Sequence, residues 1–295
     1  MSRCMAKVVD YLNLVKFSHT IFAMPFALLS FTFAVKGLPE EHQSLWWILL
    51  FVQVLLCMVF ARNVAMGFNR WADRHIDADN PRTAEREIPV GKVSPKQAVW
   101  FVVINAAWFI FVAATINPLC GWLSPVALAV VMFYSYCKRF TSLAHLVLGL
   151  SLGIAPVGAT IAVLGEITAE SIVLALGVMC WSAGFDIIYA LQDAEFDRQS
   201  GLRSIPSRFS ARTSLIISAL LHIVSISFIV LYTTYQPQSW LAWLGCAMFA
   251  VIVASEHILV TPTKQRNIGI AFGTLNALAS VAYGVALILN LLIFG

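Results

Sequence analysis

The stretch Asn69-Arg-Trp-Ala-Asp73-Arg-His-Ile-Asp77 follows a long apolar segment, and Asp193-Ala-Glu-Phe-Asp197 follows another one far downstream. Residues four apart on a helix lie on one face, so each stretch lines up its side-chain oxygens along one stripe. Carboxylates this close repel one another unless a positive charge lies between them. The two stretches therefore predict a metal site, against the alternative that they are only solvated helix ends.

The remainder of the chain has the composition of a membrane protein. It has 295 residues, of which 60% are hydrophobic and 12% charged, whereas a soluble domain carries about 25% charged residues. Apolar runs of about 20 residues recur, which is the length that crosses a bilayer, and their lack of alternation predicts helices rather than barrel strands. We place nine spanning helices at 17–36, 45–68, 98–118, 121–137, 143–164, 169–190, 213–234, 239–261 and 268–294.

The distribution of basic residues predicts an orientation. With nine spans, all of the 19 Lys and Arg residues except Lys36 and Arg62 fall in loops on one side. The positive-inside rule makes that side cytoplasmic, with the N-terminus inside. The two aspartate stretches follow the second and sixth spans, so both should emerge in the cytoplasm and face one cavity. We treat residues 1–295 as a single domain whose cytoplasmic loops 69–97 and 191–212 carry these stretches.

The chemistry of these loops favours a diphosphate. Carboxylate and amide oxygens suit Mg²⁺, which completes its shell with water and substrate phosphate. Arginines and lysines in the same loops could hold the remaining phosphate charge. A diphosphate on a lipid tail fits this combination at a membrane surface, and no nucleic-acid partner is expected. Any single basic residue could instead be a topology signal or a contact to membrane lipid.

One arginine, Arg62, falls inside the second predicted span, where a charge is costly and usually functional. It precedes Asn69 by seven residues, and Asp186 precedes Asp193 by the same spacing. Arg62 could reach the diphosphate, or it could form a buried pair with Asp186. Lys16 and His19 are expected to be interfacial anchors, with a phosphate or acceptor contact as the alternative.

These residues resemble a known family. The first stretch, followed by Pro81-Arg-Thr-Ala-Glu-Arg-Glu-Ile-Pro89, resembles the first motif of the UbiA superfamily of intramembrane aromatic prenyltransferases, and Asp193–Asp197 resembles the second. Tyr136-Cys-Lys-Arg-Phe-Thr141 and the region 149–158 are similar to the 4-hydroxybenzoate polyprenyltransferase branch. The resemblance covers nearly the whole chain.

The resemblance implies an all-α bundle around a central cavity, in a multi-pass protein of the bacterial inner membrane with its site facing the cytoplasm. It implies Mg²⁺-dependent transfer of a polyprenyl group from polyprenyl diphosphate to an aromatic acid acceptor in quinone biosynthesis. Asn69, Asp73 and Asp77 would hold one Mg²⁺, and Asp193 with Asp197 a second one. Arg139 would meet the acceptor carboxylate and act with the four aspartates in catalysis. The other expected substrate-binding residues are Arg62, Asn69, Arg70, Arg82, Arg86, Lys138, Tyr189 and Arg203.

Two positions depart from the family pattern. Arg203 falls where many members have lysine, and Arg70 replaces an aspartate that is common after the motif asparagine. Lys138 and Arg139 favour a carboxylated phenol such as 4-hydroxybenzoate, while a naphthoate of menaquinone synthesis, another aromatic or a tetrapyrrole stays open. A transporter would collect polar residues at the midplane, whereas here they lie at cytoplasmic helix ends. A CDP-alcohol phosphotransferase would need a different aspartate motif, which the chain lacks.

Overall fold

In this computed structural model, residues 10–11, 13–15, 22–39 and 46–295 are described. They form helices joined by turns, with an isolated bridge between Thr261 and Lys264. The helices are α1 Met24–Lys36, α2 Trp46–Ala72, α3 Arg74–Asp79, α4 Pro95–Ile116, α5 Pro118–Cys137, α6 Ala144–Leu164, α7 Ala169–Ala190, α8 Ala194–Gln199, α9 Ile205–Arg208, α10 Ala211–Thr234, α11 Trp240–Leu259 and α12 Asn276–Phe294. A 3₁₀ turn, Leu191–Asp193, precedes α8, and a π-helical turn, Ile270–Leu275, precedes α12.

The all-α membrane class predicted from the sequence is confirmed. Within the described ranges, 8 helical segments are long and apolar enough to cross a membrane. The apolar helix α1 adds 13 described residues, and part of the predicted first span, together with Lys16 and His19, lies outside the described residues. The count of nine spans and the cytoplasmic N-terminus therefore stay predictions.

Capping residues explain where several of these helices begin. The Ser94 side chain accepts a hydrogen bond from the Gln97 backbone N–H in a capping box at the start of α4. Asn117 is extended and accepts from the Cys120 N–H, with Pro118 in the first turn of α5. Such caps satisfy amides that have no partner inside the helix, so the predicted break between the third and fourth spans lies between Ile116 and Pro118.

Glycines allow α6 and α7 to approach closely. A methyl group added to Gly149 would lie 2.2 Å from the Met179 carbonyl oxygen, and one added to Gly153 would lie 2.7 Å from that of Ala175. Small residues four apart let membrane helices pack backbone to backbone. On its other side α7 packs against α10, where Ser218 donates to the Gly184 carbonyl at 2.8 Å.

The helices surround one large cavity. Helices α2, α4 and α5 pack together on one side, and α7, α10, α11 and α12 on the other, with α6 joining the two groups and α1 packing on α6 and α12. The cavity has a volume of about 940 Å³ and is lined mainly by α2, α5, α6 and α7. Its wall is apolar along α5 and α6 and polar where α2 and α7 end.

Candidate active site

Each aspartate stretch lies where a long helix gives way to a short one. Asp73 follows α2 with φ −95° and ψ 7° and begins α3, and Asp193 ends the 3₁₀ turn after α7 with φ −104° and ψ 3° and begins α8. The Asp73 N–H donates to the Asn69 carbonyl at 2.9 Å, and the Asp77 N–H donates to that of Asp73 at 2.7 Å. Helical spacing thus continues through the bend, which keeps the side chains on one face.

In the first stretch, every acidic side chain meets a base. Arg86 donates to Asp77 Oδ1 at 2.6 Å, and Arg139 donates to Asp73 Oδ1 at 3.1 Å. Asn69 Nδ2 donates to Asp73 Oδ2 at 3.0 Å, so its amide oxygen is turned away from that carboxylate. Asp77 is 5% exposed, and its Oδ2 accepts no hydrogen bond among the described residues.

The second stretch takes its bases from elsewhere in the chain. Arg82, from the first loop, donates through Nε to Asp193 Oδ1 at 2.7 Å and through Nη2 to Asp193 Oδ2. Lys138 donates to Asp197 Oδ2 at 3.1 Å. Arg82 therefore connects the first loop to the second motif, while the neighbours Lys138 and Arg139 bind one aspartate in each motif. These pairs hold the two motifs face to face, as the sequence predicted.

Burial and ion pairing set the protonation of this polar layer. Burial raises the pKa of Asp73, and the hydrogen bond from Arg139 opposes that rise. Burial would lower the pKa of Lys138, but attraction to Asp197 brings it above its usual value. Burial also acts against the Arg82 guanidinium, yet Asp193 raises the pKa of that arginine overall. Lys138 and Arg82 thus remain cations at neutral pH.

The donor set fits Mg²⁺. Asn69, Asp73 and Asp77 could hold one ion, and Asp193 with Asp197 could hold another; the buried Asp77 Oδ2 is a free carboxylate oxygen for this purpose. In the described ranges, three or more His, Cys, Asp or Glu side chains do not converge on one point. Mg²⁺ commonly takes only one or two carboxylates and shares its shell with substrate phosphate. These residues therefore suit an ion that a phosphate completes.

The structure brings almost all predicted site residues to the cavity. Arg203 is the exception, since it does not line the cavity: its Nη1 donates to the Phe140 carbonyl at 2.7 Å and its N–H to that of Lys138 at 2.6 Å. It supports the turn that carries Lys138 and Arg139, and its contact with diphosphate stays a prediction. The residues that do line the cavity are Arg62, Asn69, Arg70, Asp73, Asp77, Arg82, Arg86, Lys138, Arg139, Tyr189, Asp193 and Asp197.

The buried pairing of Arg62 with Asp186 does not form. Asp186 Oδ2 instead lies 2.6 Å from Nδ1 of His145, a histidine for which the sequence suggested no role. The Ile205 N–H donates to His145 Nε2 at 3.3 Å, so the Nδ1–H of the neutral ring donates to Asp186. His145 thereby joins α6, α7 and α9.

The sequence analysis also missed Asn80, although this residue adjoins the first motif. Its Nδ2 donates to Asp193 Oδ1 at 3.1 Å.

Four aromatic rings form one wall of the cavity next to Asp193. The Tyr189 and Phe272 centroids are 4.1 Å apart, and Phe272 lies 5.5 Å from both Phe22 and Phe185. The π-helical turn before α12 carries Phe272, and such turns often occur at functional sites. Arg82 lies over the Tyr189 ring at 5.2 Å. Spacing in the sequence gave no way to choose these rings among 20 phenylalanines.

Comparison with known proteins identifies relatives of this architecture. The model of the UbiA prenyltransferase family matches residues 23–281. The 4-hydroxybenzoate octaprenyltransferase of Yersinia pseudotuberculosis serotype IB (strain PB1/+) is 32% identical over 234 residues, which cover 79% of this chain and 76% of that protein. A 4-hydroxybenzoate octaprenyltransferase of Yersinia enterocolitica serotype O:8 / biotype 1B (strain NCTC 13174 / 8081) is 31% identical over 234 residues, covering the same shares.

Solved structures share the fold. A UbiA homolog from Aeropyrum pernix K1 superimposes with a TM-score of 0.81 at 28% identity, covering 92% of this chain and 97% of that one. A UbiA homolog from Archaeoglobus fulgidus, solved with GPP and Mg²⁺ bound, superimposes with a TM-score of 0.67 at 20% identity, covering 95% and 99%.

Proposed function

Because the chain belongs to the UbiA prenyltransferase family, we propose that it transfers a polyprenyl group from polyprenyl diphosphate to a carboxylated phenolic acceptor with Mg²⁺ as cofactor. Membership makes the chain a prenyltransferase and favours the enzyme over a membrane transporter. What we propose beyond family membership is the identity of the prenyl donor, of the metal ion and of the acceptor. It is supported by relatives that are 4-hydroxybenzoate octaprenyltransferases and by a homolog solved with GPP and Mg²⁺.

One observation carries the proposal. Four aspartates and four cationic side chains meet in one layer beside an apolar cavity of about 940 Å³. Such a layer suits a charged diphosphate, and the cavity suits an uncharged hydrocarbon tail attached to it. The apolar wall that would contact the tail includes Leu123, Leu128, Val131, Ala155 and Gly158.

The residues of this layer would act mainly by stabilising the diphosphate as it leaves. Bound Mg²⁺ would supply positive charge that stabilises the diphosphate as it leaves. Arg82, Arg86 and Lys138 hold the aspartates in place, and they could also donate to the oxygens of a diphosphate bound in this layer. Charge-assisted hydrogen bonds from these groups strengthen as negative charge builds on the diphosphate. They therefore favour breakage of the allylic C–O bond.

The walls of the cavity would protect the reacting carbon. Breakage of that bond leaves an allylic cation, which water would capture quickly. The rings of Phe22, Phe185, Tyr189 and Phe272 line the cavity beside Asp193 and present π-electrons to a cation. A phenolic ring bound next to them would attack the cation, and the ring carbon would then give its proton to the departing diphosphate, which restores aromaticity.

The acceptor with most support is 4-hydroxybenzoate, and with this acceptor the reaction would belong to quinone biosynthesis. Its support comes from the named relatives and from the basic pair Lys138 and Arg139. A naphthoate of menaquinone synthesis remains an alternative, as does another aromatic or a tetrapyrrole. We also propose that the single domain 1–295 lies in the bacterial inner membrane, where its helices contact membrane lipid. The layer of aspartates and cationic side chains would face the cytoplasm. The acceptor and donor would then both arrive from the cytoplasmic side.

A product assay tests the proposal. Membranes that contain the protein are incubated with labelled prenyl diphosphate, Mg²⁺ and a panel of hydroxybenzoates and naphthoates, and products are identified by mass. We expect a prenylated hydroxybenzoate that disappears with EDTA and returns with Mg²⁺. Asp73→Ala and Asp193→Ala serve as matched variants and should lose turnover by about 100-fold or more. Undiminished turnover in both variants would contradict the assignment of these aspartates to Mg²⁺. A product formed only from a naphthoate would identify a naphthoate as the acceptor in place of 4-hydroxybenzoate.

A further inference from the structure

A buried acid near the end of α11, Glu256, has no part in the chemistry described so far. It is fully buried and does not line the cavity. Neither of its carboxyl oxygens accepts a hydrogen bond from the described residues, and it forms no ion pair with them. The next residue, His257, bonds to His222 instead. A buried carboxylate that meets neither a cation nor a donor is costly, whereas the neutral acid costs far less.

A second buried group without a donor lies beside this acid. Asn276, the first residue of α12, is also fully buried, and its amide is adjacent to the Glu256 carboxyl. Asn276 Nδ2 donates to the Ala271 carbonyl at 2.9 Å and to the Phe272 carbonyl at 3.3 Å. These two acceptors identify the donor end of the amide, so the other atom, Oδ1, is an acceptor, and it meets no donor among the described residues. Between them the acid and the amide have three oxygens that lack a donor.

We propose that Glu256 is protonated in the folded protein and donates its O–H to Asn276 Oδ1, and that it is thereby a positioning residue for the aromatic wall of the cavity. One proton on Glu256 supplies the donor that both groups lack, because a protonated carboxyl donates and an amide oxygen accepts. The bond also fixes the amide, which keeps Nδ2 on its two carbonyls. The role in the reaction rests on the proposed function, whereas the protonation does not.

The π-helical turn before α12 is the element that this bond would hold. Backbone hydrogen bonds in such a turn join residues five apart, so carbonyls where it meets an α-helix can be left without their usual donors. Asn276 supplies a donor to the carbonyls of Ala271 and Phe272, both within the turn. The Phe272 ring lines the cavity and stacks near Tyr189, with 4.1 Å between the centroids. Glu256 therefore acts on the cavity through Asn276 and the backbone of the turn.

A displaced Phe272 ring has a specific consequence for the products. In the proposed reaction this ring helps to keep water from the allylic cation, so its displacement lets water compete with the phenolic acceptor. Capture by water forms a C–O bond and releases a proton, which gives a prenyl alcohol beside the diphosphate. The ratio of prenyl alcohol to prenylated acceptor measures this competition. A loss of stability alone lowers the amount of active enzyme but leaves that ratio unchanged.

The first test compares the products of the purified wild-type enzyme with those of Glu256→Met and Glu256→Gln, at saturating prenyl diphosphate, Mg²⁺ and 4-hydroxybenzoate. Methionine keeps the length of the side chain but has no donor, whereas the glutamine amide keeps a donor for Asn276. We expect Glu256→Met to raise the ratio of alcohol to prenylated acceptor by about 10-fold, the effect of losing one buried hydrogen bond. Glu256→Gln should keep the wild-type ratio. Thr233→Val, the matched control, removes a buried bond to Tyr283 away from the cavity and should also keep it.

Two further measurements need no turnover. The infrared spectrum of the wild type in neutral buffer should contain the C=O stretch of a protonated carboxyl, and this band should be missing from Glu256→Gln. Hydrogen exchange followed by mass spectrometry should show faster exchange of the turn 270–275 in Glu256→Met than in the wild type, and no change in Glu256→Gln.

The outcomes separate this proposal from the proposed function. A wild type without the infrared band overturns the protonation of Glu256, as does a band that survives in Glu256→Gln. Equal product ratios in the wild type and Glu256→Met, or a raised ratio in Glu256→Gln, overturn the positioning role. If Glu256→Met does not fold, the band and the product ratio of Glu256→Gln still decide. A wild type that shows the band but prenylates no aromatic acceptor contradicts the proposed function instead, and hydrogen exchange of the turn then tests the contact with Asn276.

Discussion

At the scale of single residues, His145 shows how the site depends on side chains that do not touch a substrate phosphate. The ring is fully buried and is bonded on both nitrogens, to Asp186 at 2.6 Å and to the Ile205 N–H at 3.3 Å. Asp186 lines the cavity, and Ile205 begins α9 in the second motif loop. The histidine therefore fixes a cavity carboxylate and the adjacent loop at once.

We predict that His145→Leu lowers turnover by about 10- to 100-fold, the usual effect of losing a residue that orients a metal-site neighbour. The loss should appear as a higher Mg²⁺ requirement, because the loop that follows Asp197 is released, while His145→Asn keeps a donor near Asp186 and loses less. The measurement is rate against Mg²⁺ concentration. His257→Leu removes a comparable bond, to His222 at 2.9 Å on α10, and should leave that curve unchanged. Similar curves for both leucine variants would mean that His145 serves only stability.

Residue identity predicted the aspartate motifs but not their partners. Spacing along a helix places Asn69, Asp73 and Asp77 on one face, and that required no knowledge of the fold. The link between Arg82 and Asp193 spans 111 positions, and that between His145 and Asp186 spans 41. Such distances in the chain carry no periodic pattern, so only the packed structure decides which base meets which acid.

At the scale of elements, apolar length located the spanning helices, and local chemistry set their ends. The predicted segments 98–118 and 121–137 correspond to α4 and α5, and Asn117 with Pro118 makes the break between them. The short helices α3, α8 and α9 were not predicted, because they are polar and too short for a periodic pattern. Helices α3 and α8 exist because the ends of α2 and α7 continue helically past a bend at Asp73 and Asp193, whereas α9 begins separately at a capping box of Ser204 and Ser207.

The α6–α7 contact gives a prediction at this scale. Gly149→Ala places a methyl group against the Met179 carbonyl and should destabilise the protein by about 1–3 kcal/mol, as overpacking does. Gly158→Ala on the same helix meets nothing within 4 Å and should be neutral or slightly stabilising, because alanine favours helix more than glycine. Thermal unfolding of both variants in one detergent measures the difference. Equal midpoints would show that α6 and α7 can separate at no cost.

At the scale of the whole molecule, helix count and charge distribution determine which compartment the site faces. The loop that follows α2 carries Lys92, and the turn between α6 and α7 carries Glu166; both residues are exposed. Three spanning helices, α4, α5 and α6, separate them, so the two positions should lie on opposite sides of the membrane. This holds whatever the placement of the segment before α1.

Cysteine labelling in sealed cells tests the orientation. In a variant that lacks accessible native cysteines, Lys92→Cys should react with a membrane-impermeant maleimide only after the cells are opened, because the positive-inside rule places its loop in the cytoplasm. Glu166→Cys should react in intact cells. Inverted vesicles give the opposite order and serve as the internal control. Labelling of both positions from the same side would refute the predicted topology, and the reverse order would invert it.

The ion pair between Arg82 and Asp193 limits how freely the two halves of this chain can be recombined. The backbone repeats itself at Asp73 and Asp193, which invites the view that each half is a module. Yet Arg82 lies in the first half and holds an aspartate of the second, and Lys138 does the same for Asp197. In a hybrid of two related proteins joined within the α6–α7 turn, Arg82 and Lys138 would come from one parent, and Asp193 and Asp197 from the other. Such chimeras should function only when both parents share these pairings, so the two halves of the chain are not interchangeable modules.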